Sequence, residues 1–360
     1  MQISKSSLRK SRGDPVSKML RGWCCLPAPW LSRGLASHQP LHLVTPLVRS
    51  AALTAVLDSP TGREVFLKLE NLQPGGSFKI RGMGLTMQRS GANRFMGSSG
   101  GNAGLAMAFA ARALSASLHL CVPLATPDLL VARLGELGAT VQVVGTDWEE
   151  AHREAQHQAR DTDTFLVHPH SQVDSWEGHS SLVDEVASQL TFPPSLLVCA
   201  VGGGGLAMGL LQGLDRHRDM QGWQDCMLLA VETEGAASLH RSLEKREVVR
   251  LESVVTVASS LAMRTVLPQL LHYSLLWPGR VSSLAVSDLA ALTAAVAVAD
   301  DERMLVEPAC GAAVAAVHGG WVAKMEEEGG LRGEGPIVIV LCGGNLVTTG
   351  LVEQWRQLAA

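Results

Sequence analysis

Residues Leu196–Val201 form an unbroken apolar run, four glycines follow at Gly202–Gly205, and Leu206–Leu214 then place apolar side chains at helical spacing. A short apolar run with no polar alternation is covered on both faces, as an interior strand of a parallel sheet is. A strand that turns through glycine into a helix is half of a βαβ unit, which restricts the chain to α/β folds. The same pattern recurs along the sequence. Val65–Leu69, Leu118–Val122, Thr140–Val144, Leu228–Val231 and Ile337–Leu341 read as strands. Phe78–Gln88, Asn102–Leu114, Pro127–Leu137, Asp288–Val298 and Gly311–Val322 read as helices. A chain of 360 residues is too long for one simple core and predicts two α/β lobes.

Charge and composition remove several function classes. The net charge is −4 and aromatics make up 4% of residues, with no basic patch interleaved with aromatics, so no nucleic-acid partner is expected. No apolar run approaches the roughly 18 residues that span a bilayer, so no membrane partner is expected. Seven cysteines at irregular spacings, none paired with histidines at metal-ligand spacing, point to free thiols in a reducing compartment. The first 38 residues carry +6, leaving −10 for the remainder. This basic, serine-rich, acid-poor leader (residues 1–39) is expected to stay outside the fold, as a mitochondrial presequence or as an unstructured tail.

Four short segments carry the chemistry. Pro74-Gly75-Gly76-Ser77-Phe78-Lys79-Ile80-Arg81-Gly82 sets a lysine behind two glycines and a serine, where a loop becomes a helix. A partly desolvated lysine there loses its proton below the usual pKa near 10.4 and becomes an amine nucleophile. Read alone, Lys79 sits on an exposed loop at a helix start. Ser98-Ser99-Gly100-Gly101-Asn102-Ala103-Gly104 opens the alanine-rich helix with exposed N–H groups suited to an anion, and Asn102 also serves as a cap there. Gly202, Gly203, Gly204 and Gly205 present bare backbone N–H groups at a helix start, an anion cradle that side chains would obstruct. Gly202-x-Gly204-x-x-Ala207, with Glu232 at the end of the next strand, also satisfies a dinucleotide fingerprint loosely. That reading leaves the lysine and SSGGNAG loops unexplained. Cys342-Gly343-Gly344-Asn345 closes the set after its strand.

Those four segments in that order resemble the pyridoxal-phosphate enzymes of the tryptophan-synthase-β fold type, and within them the L-serine/L-threonine dehydratases. The resemblance covers nearly everything except the leader. It implies two open, twisted, mostly parallel sheets covered by helices, with a small lobe (residues 73–172) inserted in a large cofactor-binding lobe (residues 40–72 and 173–360). It implies pyridoxal 5'-phosphate as cofactor, with Lys79 as Schiff-base lysine and base at Cα, and Phe78 on one face of the pyridine ring. Asn102 meets the ring oxygen, Gly202–Gly205 the phosphate, Ser260 the second ring face, where a small alanine is usual, and Cys342 with Gly343 the pyridine nitrogen. Ser99, Gly100, Gly101 and Asn102 would hold the substrate carboxylate. Glu232, with Ser238 and backbone oxygens of Gly202, Ala236, Leu261 and Met263, resembles the family's monovalent-cation site, with K+ as occupant. Glu307 receives an indirect role beside the cofactor.

Elimination is the implied reaction, from L-serine to pyruvate and from L-threonine to 2-oxobutanoate, with a place in amino-acid metabolism and gluconeogenesis. A homodimer in the cytoplasm is implied too, a mitochondrial location being the alternative. Gly100 stands where related racemases carry a proton-donating serine, so racemisation is disfavoured. A non-catalytic pyridoxal-phosphate or amino-acid-binding protein is the competing reading, because the segment His168-Pro169-His170-Ser171-Gln172 departs from a pattern usually rich in proline, phenylalanine and aspartate. Its two histidines read as surface residues, not zinc ligands, since no third ligand is evident. Gly75, in place of the usual serine or threonine, reads as neutral.

Overall fold

Each apolar run becomes a strand, and the strand that arrives last in the chain lies near the middle of its sheet. A computed structural model describes residues 39–162, 164–277 and 279–359. The basic leader, apart from Gln39, lies outside the described residues. Six strands form the larger sheet: β1 (Leu47–Ser50), β2 (Val65–Lys68), β7 (Leu196–Ala200), β8 (Met227–Thr233), β9 (Val281–Val286) and β10 (Ile337–Val340), in the spatial order β1-β2-β10-β7-β8-β9. β1 runs antiparallel to β2, and all the other pairs are parallel. The smaller sheet is all parallel, in the order β5 (Thr140–Val143), β4 (Ser117–Val122), β3 (Arg94–Gly97) and β6 (Phe165–Leu166). Its four strands all fall within residues 73–172.

Burial follows the apolar runs. Every residue of β7, β8 and β10 is buried, which is why those runs carry no polar alternation. Helices Val173–Gln189 and Gly205–Arg216 pack on each other, and Lys79–Ser90 packs on Val173–Gln189 as well as on Asn102–Ala113. The predicted helix Gly311–Val322 is instead two helices, Pro308–His318 and Trp321–Glu327, broken at Gly319-Gly320, where Gly320 adopts a positive φ of 77°. Pro308 starts the first of them because proline lacks only an N–H that a first helical turn leaves unbonded anyway.

One charged cluster lies inside the core. Arg81 is fully buried and bonds Glu70 (Nε to Oε2, 2.7 Å) and Glu185 (Nη1 to Oε1, 2.6 Å). Lys68, also fully buried, donates to Glu185 at 2.6 Å and to the Thr45 carbonyl at 2.8 Å. Two cations therefore meet two carboxylates, with Thr45 and Gln189 taking remaining bonds.

Candidate active site

The lysine loop and the Cys342 loop are sewn together by backbone. Phe78 N–H donates to the Cys342 carbonyl at 3.0 Å, Gly344 N–H donates to the Gly76 carbonyl at 3.1 Å, and Ser77 bridges Gly343. Gly75 and Gly76 both take positive φ, 78° and 69°, which glycine adopts without strain. The chain thus turns sharply enough to present Lys79 at the first position of the helix Lys79–Ser90.

Lys79 points into a cleft of about 470 Å³ bordered by Phe78, Ser99, Asn102, His170, Gly203 and Cys342. Its Nζ donates to the carbonyl of Pro169 at 2.9 Å and lies 5.1 Å from the Phe78 ring centroid. Burial lowers its pKa to about 8. It is therefore an inward-facing amine with no carboxylate partner, rather than the exposed loop lysine expected from sequence.

The four glycines of the turn are bare for four different reasons. A Cβ on Gly202 would stand 3.1 Å from the Ser260 carbonyl, and one on Gly203 would stand 2.9 Å from Nε2 of His170. Gly204 has φ of 91°, a left-handed conformation, and a Cβ on Gly205 would stand 3.0 Å from the His170 carbonyl. The result is a turn of exposed N–H groups at the start of the helix Gly205–Arg216, as an anion cradle requires.

Asn102 is fixed before any ligand arrives. Its Nδ2 donates to both Glu307 oxygens, at 2.8 and 3.0 Å, while its Oδ1 accepts from Nδ2 of Asn345 at 2.8 Å. Burial raises the pKa of Glu307, against the pull of Asn102 and Ser260. Ser260 itself is exposed at the cleft wall. Ser99 Oγ accepts from Gly101 N–H at 3.3 Å, which shapes the loop ahead of the helix.

Gly100 needs no left-handed backbone, so its lack of a side chain has another cause. The space belongs to Thr126, whose Oγ1 is 2.8 Å from where a Cβ would sit and whose methyl would collide with it. A serine at position 100 would have to displace Thr126 before presenting its hydroxyl to anything.

Cys342 has a partner that sequence reading passed over. Its Sγ is 3.4 Å from that of Cys310, both are free thiols, and Cys310 donates to the Gly343 carbonyl at 3.1 Å. The Cys310 contact and burial push the Cys342 pKa well above the ordinary range, so the residue at the end of β10 is a neutral thiol. Only its place in a helix that packs against β10 identifies Cys310, and a linear motif carries no sign of that.

His168 and His170 are a correction as well. They are half-buried in a ring cluster with Trp148 and His152: His168 lies 4.6 Å from His170 and 4.9 Å from His152, and His170 lies 5.9 Å from Trp148. Burial lowers their pKa values to about 4 and about 2, so both rings are neutral. His168 Nδ1 accepts from the N–H groups of His170 and Ser171 at 3.3 and 3.2 Å, which folds the loop back over the glycine turn.

Away from the cleft, Glu232 at the end of β8 accepts from Leu239 N–H and His240 N–H, each at 2.8 Å, and lies 3.5 Å from Ser238 Oγ. Burial raises its pKa to about 7, against those bonds, because only neutral donors face it. No cluster of three His, Cys, Asp or Glu side chains suited to a metal occurs among the described residues. Nor is any described helix long and apolar enough to cross a membrane.

Known proteins resemble this arrangement over most of its length. Residues 39–343 match the family described as pyridoxal-phosphate dependent enzymes. A human protein named serine dehydratase-like is 41% identical over 318 residues, covering 87% of this chain and 94% of its own. A mouse L-serine dehydratase/L-threonine deaminase is 40% identical, covering 89% and 96%. The crystal structure of a fungal L-serine ammonia-lyase from Rhizomucor miehei superposes with a TM-score of 0.81 at 32% identity, covering 89% of this chain and all of its own. A half-buried lysine without a counter-ion, a glycine turn of bare N–H groups and a neutral thiol just beyond β10 fit pyridoxal phosphate on chemical grounds too, and the chain belongs to the pyridoxal-phosphate-dependent enzyme family.

Proposed function

We propose that this protein is an L-serine/L-threonine ammonia-lyase that eliminates water from the amino acid and releases pyruvate or 2-oxobutanoate with ammonia. The observation that carries this is Lys79: a half-buried, cleft-facing amine, held at 2.9 Å by a neutral carbonyl, with its pKa drawn down to about 8. When bound, pyridoxal phosphate supplies an electron-withdrawing ring that acidifies the substrate Cα. Lys79 Nζ, near its pKa at neutral pH, then accepts the Cα proton. Gly202–Gly205 orient the phosphate through N–H groups, and Phe78 lies along the lysine as an apolar wall. Asn102, locked by Glu307 and Asn345, and the backbone of Ser99–Gly101 receive the substrate carboxylate. Cys342, a neutral thiol where a carboxylate would hold a proton, leaves the ring a weaker electron sink, which favours prompt loss of a β-leaving group. The human, mouse and fungal relatives, named for serine and threonine, support this substrate class.

A cation beside Glu232 belongs to the same reading. The donor set of one buried carboxylate, the Ser238 hydroxyl and backbone oxygens of Gly202, Ala236, Leu261 and Met263 suits K+ better than a divalent ion. Homodimerisation and a cytoplasmic location rest on family resemblance alone. The deciding experiment is incubation of the holoenzyme with L-serine, with pyruvate followed by a coupled assay and serine by chiral chromatography. Steady pyruvate release without D-serine is expected. Cofactor binding without pyruvate would instead support an amino-acid-binding protein.

A further inference from the structure

His170 is a polar group of the cleft that the reaction above does not use. Its imidazole rests on the glycine turn, with Nε2 at 2.9 Å and Cδ2 at 2.7 Å from the point a Cβ on Gly203 would occupy. The backbone on either side of that ring is pinned. Its N–H donates to Nδ1 of His168 at 3.3 Å, and its carbonyl accepts from Nε1 of Trp176 at 2.6 Å. Neither ring nitrogen has a hydrogen-bond partner among the described residues, although His168, Trp148 and Lys79 all lie close. The neutral ring holds one N–H donor and one free lone pair.

The ring forms part of the cleft wall, so a ligand entering the cleft can reach a donor that no protein group occupies. The ligand group nearest at hand is the anion that the glycine turn is shaped for. Two other polar side chains of the cleft are already committed: Lys79 bonds Pro169, and Asn102 bonds Glu307 and Asn345. We propose that His170 adds a side-chain donor to the phosphate cradle, its ring N–H bonding a phosphate oxygen of the cofactor alongside the N–H groups of Gly202–Gly205. The loop His168–Gln172 then anchors the cofactor through this contact, a role for the segment in which the chain departs from the usual family pattern. The inference concerns cofactor anchoring and does not depend on which amino acid is turned over.

The test compares pyridoxal phosphate with pyridoxal, which has the same ring and aldehyde but no phosphate. Each is titrated by absorbance into the full-length apoprotein, as wild type, His170→Phe and His170→Gln. The preference of the wild type for the phosphorylated form is expected to shrink about tenfold in His170→Phe, as for one charge-assisted hydrogen bond, with pyridoxal affinity unchanged. His170→Gln, which keeps an N–H donor, is expected to recover most of it. An unchanged ratio overturns the proposal. So does an equal loss for both compounds, the mark of a packing role. If His170→Phe does not fold, His170→Ala against His170→Gln makes the same comparison. Absence of pyruvate release would sink the elimination reading and leave this ratio standing.

Discussion

Lys79 and Arg81 stand two residues apart in the first turn of one helix, one half-buried at the cleft and the other fully buried, and their surroundings are built on opposite principles. Arg81 meets two carboxylates through four bonds of 2.6–2.8 Å; burial alone would lower its pKa, but Glu70 and Glu185 outweigh it and the pKa rises. Lys79 meets one neutral carbonyl, and burial wins. Burial by itself therefore says nothing about function. A buried charge with partners holds the fold together, and a buried charge without them is available for chemistry.

The comparison breaks most visibly at Lys79. Lys79→Ala is expected to cut pyruvate release at least about a thousandfold and to leave no cofactor fixed by borohydride, with the melting temperature within a few degrees of wild type. Activity that survives would remove Lys79 as the base. Arg81→Met should do the reverse to stability, since it leaves Glu70 and Glu185 facing each other with Lys68 as their one remaining cation. Breaking a buried pair costs about 3–5 kcal/mol, roughly 10 °C in melting temperature for a chain of this size. A calorimetric shift no larger than that of Lys79→Ala would collapse the contrast.

The smallest effect sharpens the contrast through pH. The folded pKa of Lys79 is about 8 and its unfolded value 10.5, so between these the unfolded chain binds the extra proton. Stability from this group is therefore lowest below pH 8 and rises toward pH 10.5. The melting temperature of wild-type apoprotein minus that of Lys79→Ala should climb between pH 7.5 and 10, a difference in which general alkaline unfolding cancels. A flat difference would mean that the amine is not desolvated.

Much of this was legible from the chain itself. β7, β8 and β10 are apolar throughout, so period and length sufficed, and the glycine turns located Lys79 and the anion cradle. The helices Trp148–Asp161 and Val173–Gln189 escaped because charged and polar residues crowd both, and only packing shows which face is buried. Arg81 lay inside the lysine motif unread, since its partners Glu70 and Glu185 are 11 and 104 residues away. His168 and His170 passed for surface residues because the ring cluster that encloses them draws Trp148 and His152 from a helix some 20 residues earlier. In each case the missing information was a contact between distant segments.

The place of β10 has a consequence for synthesis on the ribosome. β2 and β7 do not touch; β10 lies between them, pairing Ile337 with Val65 on one side and with Leu196 on the other. Until residue 340 has emerged, a nascent chain carries two unsatisfied strand edges, β7 wholly apolar and β2 apolar up to Lys68, the kind of surface that seeks other chains. The same late segment brings Cys342, which lines the cleft, and Asn345, which bonds Asn102, so a growing polypeptide acquires its last central strand and one wall of the cleft together. A chain cut short before β10 is then open-edged and lacks that wall of the cleft, so both defects trace to one missing segment.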